Sequence, residues 1–300
     1  MGADGWIDEL ERAGLSPLRQ EPLARHTTFK IGGPADAFVV ARDRAQARAA
    51  LAVARAANVP IFFLGWGSNL LVRDRGVRGM TLALAGDFET VEFPGPNLVR
   101  AGAAVRVPQL VVACAEKGLS GLEPIVGVPG AVGGALVMNA GTRDGEIGAF
   151  VEEVETIGSD GGARVLSRAE LRFDYRSSNI GKVLVLSALL RLKPGVKADI
   201  MAVVTRYQQK RLQTQPIHTY NVGSIFKNPP GRFVAQMIEQ LGLKGHAVGG
   251  ARVSKMHANF IENFAGAKAS DVLALVDLIS ERVRAASGVE LELEMRVVGE

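Results

Sequence analysis

The chain has 300 residues, is 47% hydrophobic and 22% charged, and carries a formal net charge of +4. That is the composition of a globular protein with room for more than one domain, and its single cysteine, Cys114, excludes an intrachain disulfide. No apolar run reaches the roughly 18 residues of a membrane span, and no basic block interleaved with aromatics points to nucleic acid. A cytoplasmic protein with an anionic small ligand is the expectation.

Residues 5–14 predict a short acidic, amphipathic helix, not a signal peptide. AFVVA predicts a strand, and the Ala- and Arg-rich segment 45–57 a helix ended by Pro60. IFFL reads as a buried strand. From Val77 to Val105, short apolar pieces broken by Gly and Pro predict a meander of strands. Val107 to Lys117 predicts a helix entered through Pro108, with Cys114 as a small buried hydrophobe. A glycine-rich loop, 127–141, precedes three strand-like pieces, VEEVETIG, GARVLS and VLVLSALLRL. LKPGVKAD, 192–199, reads as a linker. Three helices follow, the last N-capped by Ser270 and stopped by Gly288, with Val272, Leu275, Val276, Ile279 and Val283 at helical spacing. VELELEMRVV closes the chain as a predicted strand. The class is α+β, in two domains or more.

Two glycine-rich stretches draw attention. GWGSNLL, 65–71, opens like a dinucleotide fingerprint, but Leu70 stands where the third glycine belongs and no helix pattern follows. A Rossmann reading therefore fails on context. Gly65 and Gly67 with Ser68 and Asn69 are still able to form an anion-binding nest; the plain alternative is a tight turn. GVPGAVGGALVMNAG places five glycines in fifteen residues, including Gly130, Gly133 and Gly134, and one amide, Asn139, in an apolar setting. Such backbone approaches a large anionic or flat ligand closely.

NVGSIFKNP, 221–229, mixes what a surface loop and a core strand would each exclude. Ile225 and Phe226 read as anchors that present Ser224 to a ligand. Taken alone, Ser224 is by default a turn hydroxyl.

TFKIGGPAD, GWGSNLLV, GVPGAVGGALVMNAG, DYRSSNI, GSIFKNP, VSKMHANFIEN and VELELEMRVVG occur in that order. Together they closely resemble the UDP-N-acetylenolpyruvoylglucosamine reductase family, over about residues 20–300. With 47 residues between Arg176 and Ser224, the chain is similar to the shorter form, which lacks an extra Tyr-bearing loop. The resemblance implies an FAD-binding domain of the PCMH/vanillyl-alcohol-oxidase type, in two α+β subdomains, over 1–195. A C-terminal α+β substrate-binding domain would occupy 196–300. It implies noncovalent FAD, NADPH as hydride donor, and reduction of UDP-N-acetylglucosamine enolpyruvate to UDP-N-acetylmuramate, a peptidoglycan precursor. A monomer is expected.

By the same resemblance Ser224 is the general acid, Arg176 holds the substrate carboxylate and Glu294 helps polarise it. The glycines named above, with Ser68, Asn69 and Asn139, would hold FAD. Tyr175, Lys227, Asn228 and Asn259 are candidate contacts for the UDP-linked amino sugar. Periodicity alone would put Glu290, Glu292 and Glu294 together on one solvated strand face. Tyr220-Asn221-Val222 and Met256 depart from the family's usual residues. His26, His218, His246 and His257 have no metal-ligand spacing, so no metal is expected. A different flavoprotein on the same domain would explain the glycine loops but not Ser224, Arg176 and Glu294 together. A nucleotide-sugar binding module without catalysis would not need all three.

Overall fold

The computed structural model describes residues 5–158 and 160–300. The chain packs as two compact units. The first runs to Arg19 and takes in Ala37–Trp66 and Gly79–Lys210; the second comprises Gln20–Asp36, Gly67–Arg78 and Arg211–Glu300. These limits differ from the expected division at 195/196. The segment read as a linker is structured: Lys193–Pro194 pairs antiparallel with Leu119–Ser120, and a helix, Lys197–Thr214, starts directly after it.

In the first unit, helix Gly5–Arg12 buries Trp6, Ile7 and Leu10 in one cluster with Ala47, Ala50, Leu51 and Ala54 of helix Arg44–Ala56. Ala47, Ala50, Leu51 and Ala54 recur at i, i+3, i+4 and i+7, which gives the second helix its apolar stripe. Asp43 caps it, its carboxylate accepting from the Gln46 N–H at 2.8 Å. Strand Ile61–Leu64 lies parallel to residues 80–83 at the edge of a four-stranded sheet. The predicted meander from Val77 to Val105 is thus split. Val77–Leu84 is buried along most of its length, as a sheet covered on both faces requires. Only Val91–Gly95 and Leu98–Gly102 form a hairpin. They belong to a five-stranded antiparallel sheet with Leu184–Arg191, Val151–Ile157 and Ala163–Ser167, the three pieces predicted as strands. Helix Val107–Glu116 adds Leu110, Val111 and Cys114 to that sheet's core. The glycine-rich stretch is not all loop: Val132–Val137 is a short helix.

The second unit is built around helix Ala269–Ser287, which buries the predicted stripe of Val272, Leu275, Val276, Ile279 and Val283. Around it pack Phe29, Leu71, Ile225, Phe226, Ile238 and Met295. Gly288, at φ 69°, ends the helix. Its start differs from expectation. Ser270 lies inside the first turn, and the cap is supplied by two carboxylates. Asp74 accepts from the N–H groups of Ala269 (2.7 Å) and Ser270 (3.1 Å). Asp271 accepts from those of Lys268 (3.0 Å) and Gly250 (3.1 Å). The terminal strand is also shorter than predicted. Only Arg296–Val298 is a strand, parallel to Leu70–Val72. Residues 292–295 instead pair irregularly with the 225–227 segment. The mixture of helix and strand in both units is the α+β class predicted.

Candidate functional site

In the second unit the loop bearing Ser224 is pinned from two sides. Asn259 holds the first. Its carbonyl accepts from the Ile225 N–H at 2.9 Å, its Oδ1 from the Phe226 N–H at 3.0 Å, and its Nδ2 donates to the Phe226 carbonyl at 2.8 Å. Asn259 is buried, and in the folded chain its side chain is engaged with this loop. The C-terminal segment holds the second side. The Glu294 N–H donates to the Ile225 carbonyl at 2.8 Å, and the Lys227 N–H to the Glu292 carbonyl at 2.8 Å. With Ile225 and Phe226 both about 1% exposed, the apolar pair is the anchor the sequence suggested, and Ser224 stands half-buried at its edge.

The three terminal acids are not equivalent. Glu290 and Glu292 are exposed, and Glu292 pairs with the Lys227 ammonium. Glu294 is half-buried. Asn69 reaches this segment, its Nδ2 donating to the Glu294 carbonyl at 3.0 Å, while the Asn69 carbonyl accepts from the Arg296 N–H at 3.1 Å. The side chain expected at a cofactor thus secures the terminal acid's backbone. Asn228 is exposed, and its Oδ1 accepts from the Val234 N–H at 3.0 Å, capping helix Val234–Gln240.

In the first unit Arg176 sits on the two-residue turn between paired strands Phe173–Asp174 and Ser177–Ser178, at φ 56°. A long side chain in the left-handed region is rare and marks a position held by its surroundings. The Arg176 side chain is 17% exposed, with Nη1 4.0 Å from Glu146 Oε1 and the guanidinium carbon 4.9 Å from the Tyr175 ring centroid. The other Glu146 oxygen accepts from Asn139 Nδ2 at 2.7 Å. Asn139 also donates to the Asp174 carbonyl (3.0 Å) and accepts from the Gly148 N–H (3.1 Å). Asn139 is therefore a buried tie that secures the Arg176 turn. Sequence reasoning missed Glu146; its only signal was an acid in GEIG directly after the glycine-rich stretch.

The glycines divide by what they avoid. A Cβ on Gly67 would lie 2.3 Å from the His26 carbonyl oxygen, and one on Gly133 would lie 3.1 Å from the Ala103 Cβ. Those two answer to the chain's own packing. Gly130 has φ 156°. At Gly65 and Gly134 an added Cβ would meet nothing within 4 Å. Bare backbone next to open space is what a closely approaching cofactor uses, so these positions fit FAD. Ser68 is half-buried. Burial pushes the Cys114 thiol up to about 12, which makes it no nucleophile at neutral pH. Among the described residues no His, Cys, Asp and Glu group could hold a metal ion, and no helix is long and apolar enough to cross a membrane.

Residues 35–167 match the family model of an FAD binding domain, and residues 215–298 that of the UDP-N-acetylenolpyruvoylglucosamine reductase C-terminal domain. UDP-N-acetylenolpyruvoylglucosamine reductase 2 of Symbiobacterium thermophilum is 41% identical, over 94% of this chain and 92% of its own. The reductase of Geobacter metallireducens is 44% identical, over 94% of each. The crystal structure of the Thermus caldophilus enzyme superposes with a TM-score of 0.82 at 38% identity, over 95% of this chain and 99% of that one. The chain belongs to the UDP-N-acetylenolpyruvoylglucosamine reductase family.

Proposed function

We propose that this protein reduces the enolpyruvyl double bond of UDP-N-acetylglucosamine enolpyruvate, with NADPH and a proton consumed, to give UDP-N-acetylmuramate for peptidoglycan synthesis. The observation that carries the reading is the Ser224 loop clasped by Asn259 and tied to the backbone of Glu294. When bound, FAD supplies the two-electron chemistry that links a nicotinamide donor to the enolpyruvyl group. Gly65, Gly130 and Gly134 are the backbone positions that suit it. The chain's own side chains do the rest. Arg176 pairs with the substrate carboxylate and meets the negative charge that develops there. The Ser224 hydroxyl donates the proton that completes the new C–H bond; a positioned hydroxyl suffices because the charged intermediate is strongly basic. Glu294 hydrogen-bonds the carboxylate end. Tyr175 and Lys227 are substrate contacts in this reading, and the protein works as a cytoplasmic monomer.

The test is an anaerobic titration of the purified protein. NADPH should bleach a bound flavin spectrum, and the enolpyruvyl substrate should restore it with formation of the saturated product. A flavin that NADPH reduces but the substrate leaves reduced would overturn the reading.

A further inference from the structure

The two glycine-rich stretches approach each other in the first unit. Segment Ala103–Val107 is stitched to residues 130–133. The Val107 N–H donates to the Gly130 carbonyl, the Val132 N–H to that of Val105, and the Gly133 N–H to that of Ala103, each at 2.9 Å. Arg106 bridges Ala131 in the middle of this seam. Its side chain lies flat on Trp66, the guanidinium carbon 3.6 Å from the ring centroid. Trp66 directly follows Gly65. One stacked pair thus connects the first glycine stretch to the second.

Packing does not demand this pair. Trp66 is 41% exposed, Arg106 is exposed, and no described carboxylate pairs with Arg106. Gly65 and Gly134, on the two stretches so connected, leave open space where a side chain would stand. A guanidinium stacked on an indole keeps its N–H edge free in a fixed plane, the geometry that holds phosphate oxygens in pairs. We propose that Arg106, held flat by Trp66, is a binding residue for the diphosphate of the flavin dinucleotide. This rests on the FAD reading above. The substrate's UDP carries the same diphosphate chemistry, so the test must separate the two.

The full chain, stripped of flavin, is titrated with FAD and with riboflavin, followed by flavin and tryptophan fluorescence. UDP binding is measured on the FAD-loaded protein. Arg106→Gln should weaken FAD binding roughly 10–100-fold, the range of a lost charged hydrogen bond, and leave riboflavin, which has no phosphate, unchanged. Trp66→Leu should shift FAD in the same direction. It should also remove most of the emission change on binding, since the second tryptophan, Trp6, is buried in the core. Arg106→Lys keeps the charge without the planar fork and should fall between; it serves equally should Arg106→Gln fail to fold. Unchanged FAD affinity in these variants, a parallel loss for riboflavin, or a loss confined to UDP would each overturn the proposal. A wild-type chain that takes up no FAD at all would instead sink the underlying FAD reading.

Discussion

The N–H of Glu294 donates to the carbonyl of Ile225 at 2.8 Å, one residue beyond Ser224. Asn69 holds the carbonyl of the same Glu294 at 3.0 Å. The peptide groups on both sides of the terminal acid are therefore fixed, one of them to the serine loop. Segments tied in this way hold the backbones of Ser224 and Glu294 at a fixed spacing, the pre-organisation that the roles proposed for the two side chains require.

Ser224→Ala should separate the two halves of the reaction. Reduction by NADPH needs no proton donor and should stay near the wild-type rate. Reoxidation by substrate should slow about 10²–10⁴-fold, the range of a lost general acid. Stopped-flow absorbance of the flavin reads both. Equal slowing of both halves would make Ser224 a structural hydroxyl only.

Asn259→Leu should act through the loop. It leaves the buried N–H and carbonyl of Phe226 without their amide partner, at about 1–3 kcal/mol each. We expect about 2–5 kcal/mol less unfolding free energy, measured by urea titration, together with a slowed reoxidation half-reaction. A change within about 0.5 kcal/mol would show that the clasp contributes nothing.

Arg176 occupies a left-handed turn at φ 56°. Arg176→Gly suits that backbone, so thermal stability should hold or improve slightly, while turnover falls at least about 100-fold as the electrostatic contact to the carboxylate is lost. An enzyme as active as wild type would remove Arg176 from the reaction.

Much of this was legible in the sequence because it is local. The stripe of helix Ala269–Ser287 repeats at i, i+3, i+4 and i+7, and Gly288 stops it where expected. Ser270 failed as a cap because Asp74, nearly 200 residues away in the chain, does that work. Asn139 and Asn259 were both read as ligand amides, since a lone amide in an apolar stretch carries no label for what it bonds. Their partners, Glu146 and Phe226, lie 7 and 33 residues away, and only the folded chain shows both as ties. The alternation in LELEMRVV mimicked a long strand, yet the pairing of Glu292 and Glu294 with 225–227 bends those residues out of a ladder.

Cys114 should be silent. Burial raises its thiol to about 12, so at pH 7–9 the folded protein holds no thiolate and an alkylating reagent should label it only after unfolding, as read by mass spectrometry. Because the folded value lies above the unfolded one, the thiol's contribution to stability is complete below about pH 8.5. It is lost as pH rises toward about 12. Rapid labelling of the native chain at neutral pH would contradict the burial.

The terminal acids give the sharpest comparison, because periodicity treats Glu292 and Glu294 alike and the structure does not. Glu292 is exposed and holds Lys227 in a surface ion pair, a contact worth about 0–1 kcal/mol. Glu292→Gln should leave turnover close to wild type. Glu294 is half-buried, with its peptide tied to Ile225. Glu294→Gln keeps the size of the side chain and both backbone bonds, so the variant should fold, bind FAD and accept electrons from NADPH normally. It loses the carboxyl group's charge and acidity, and its turnover with substrate should fall by about 10²-fold. A contact made only in the transition state lowers kcat and kcat/KM together, which distinguishes this loss from a weakened ground-state contact that raises KM alone. Steady-state kinetics of the two variants side by side decide the matter. Equal and mild effects at both positions would return Glu294 to the solvated face that the alternation predicts.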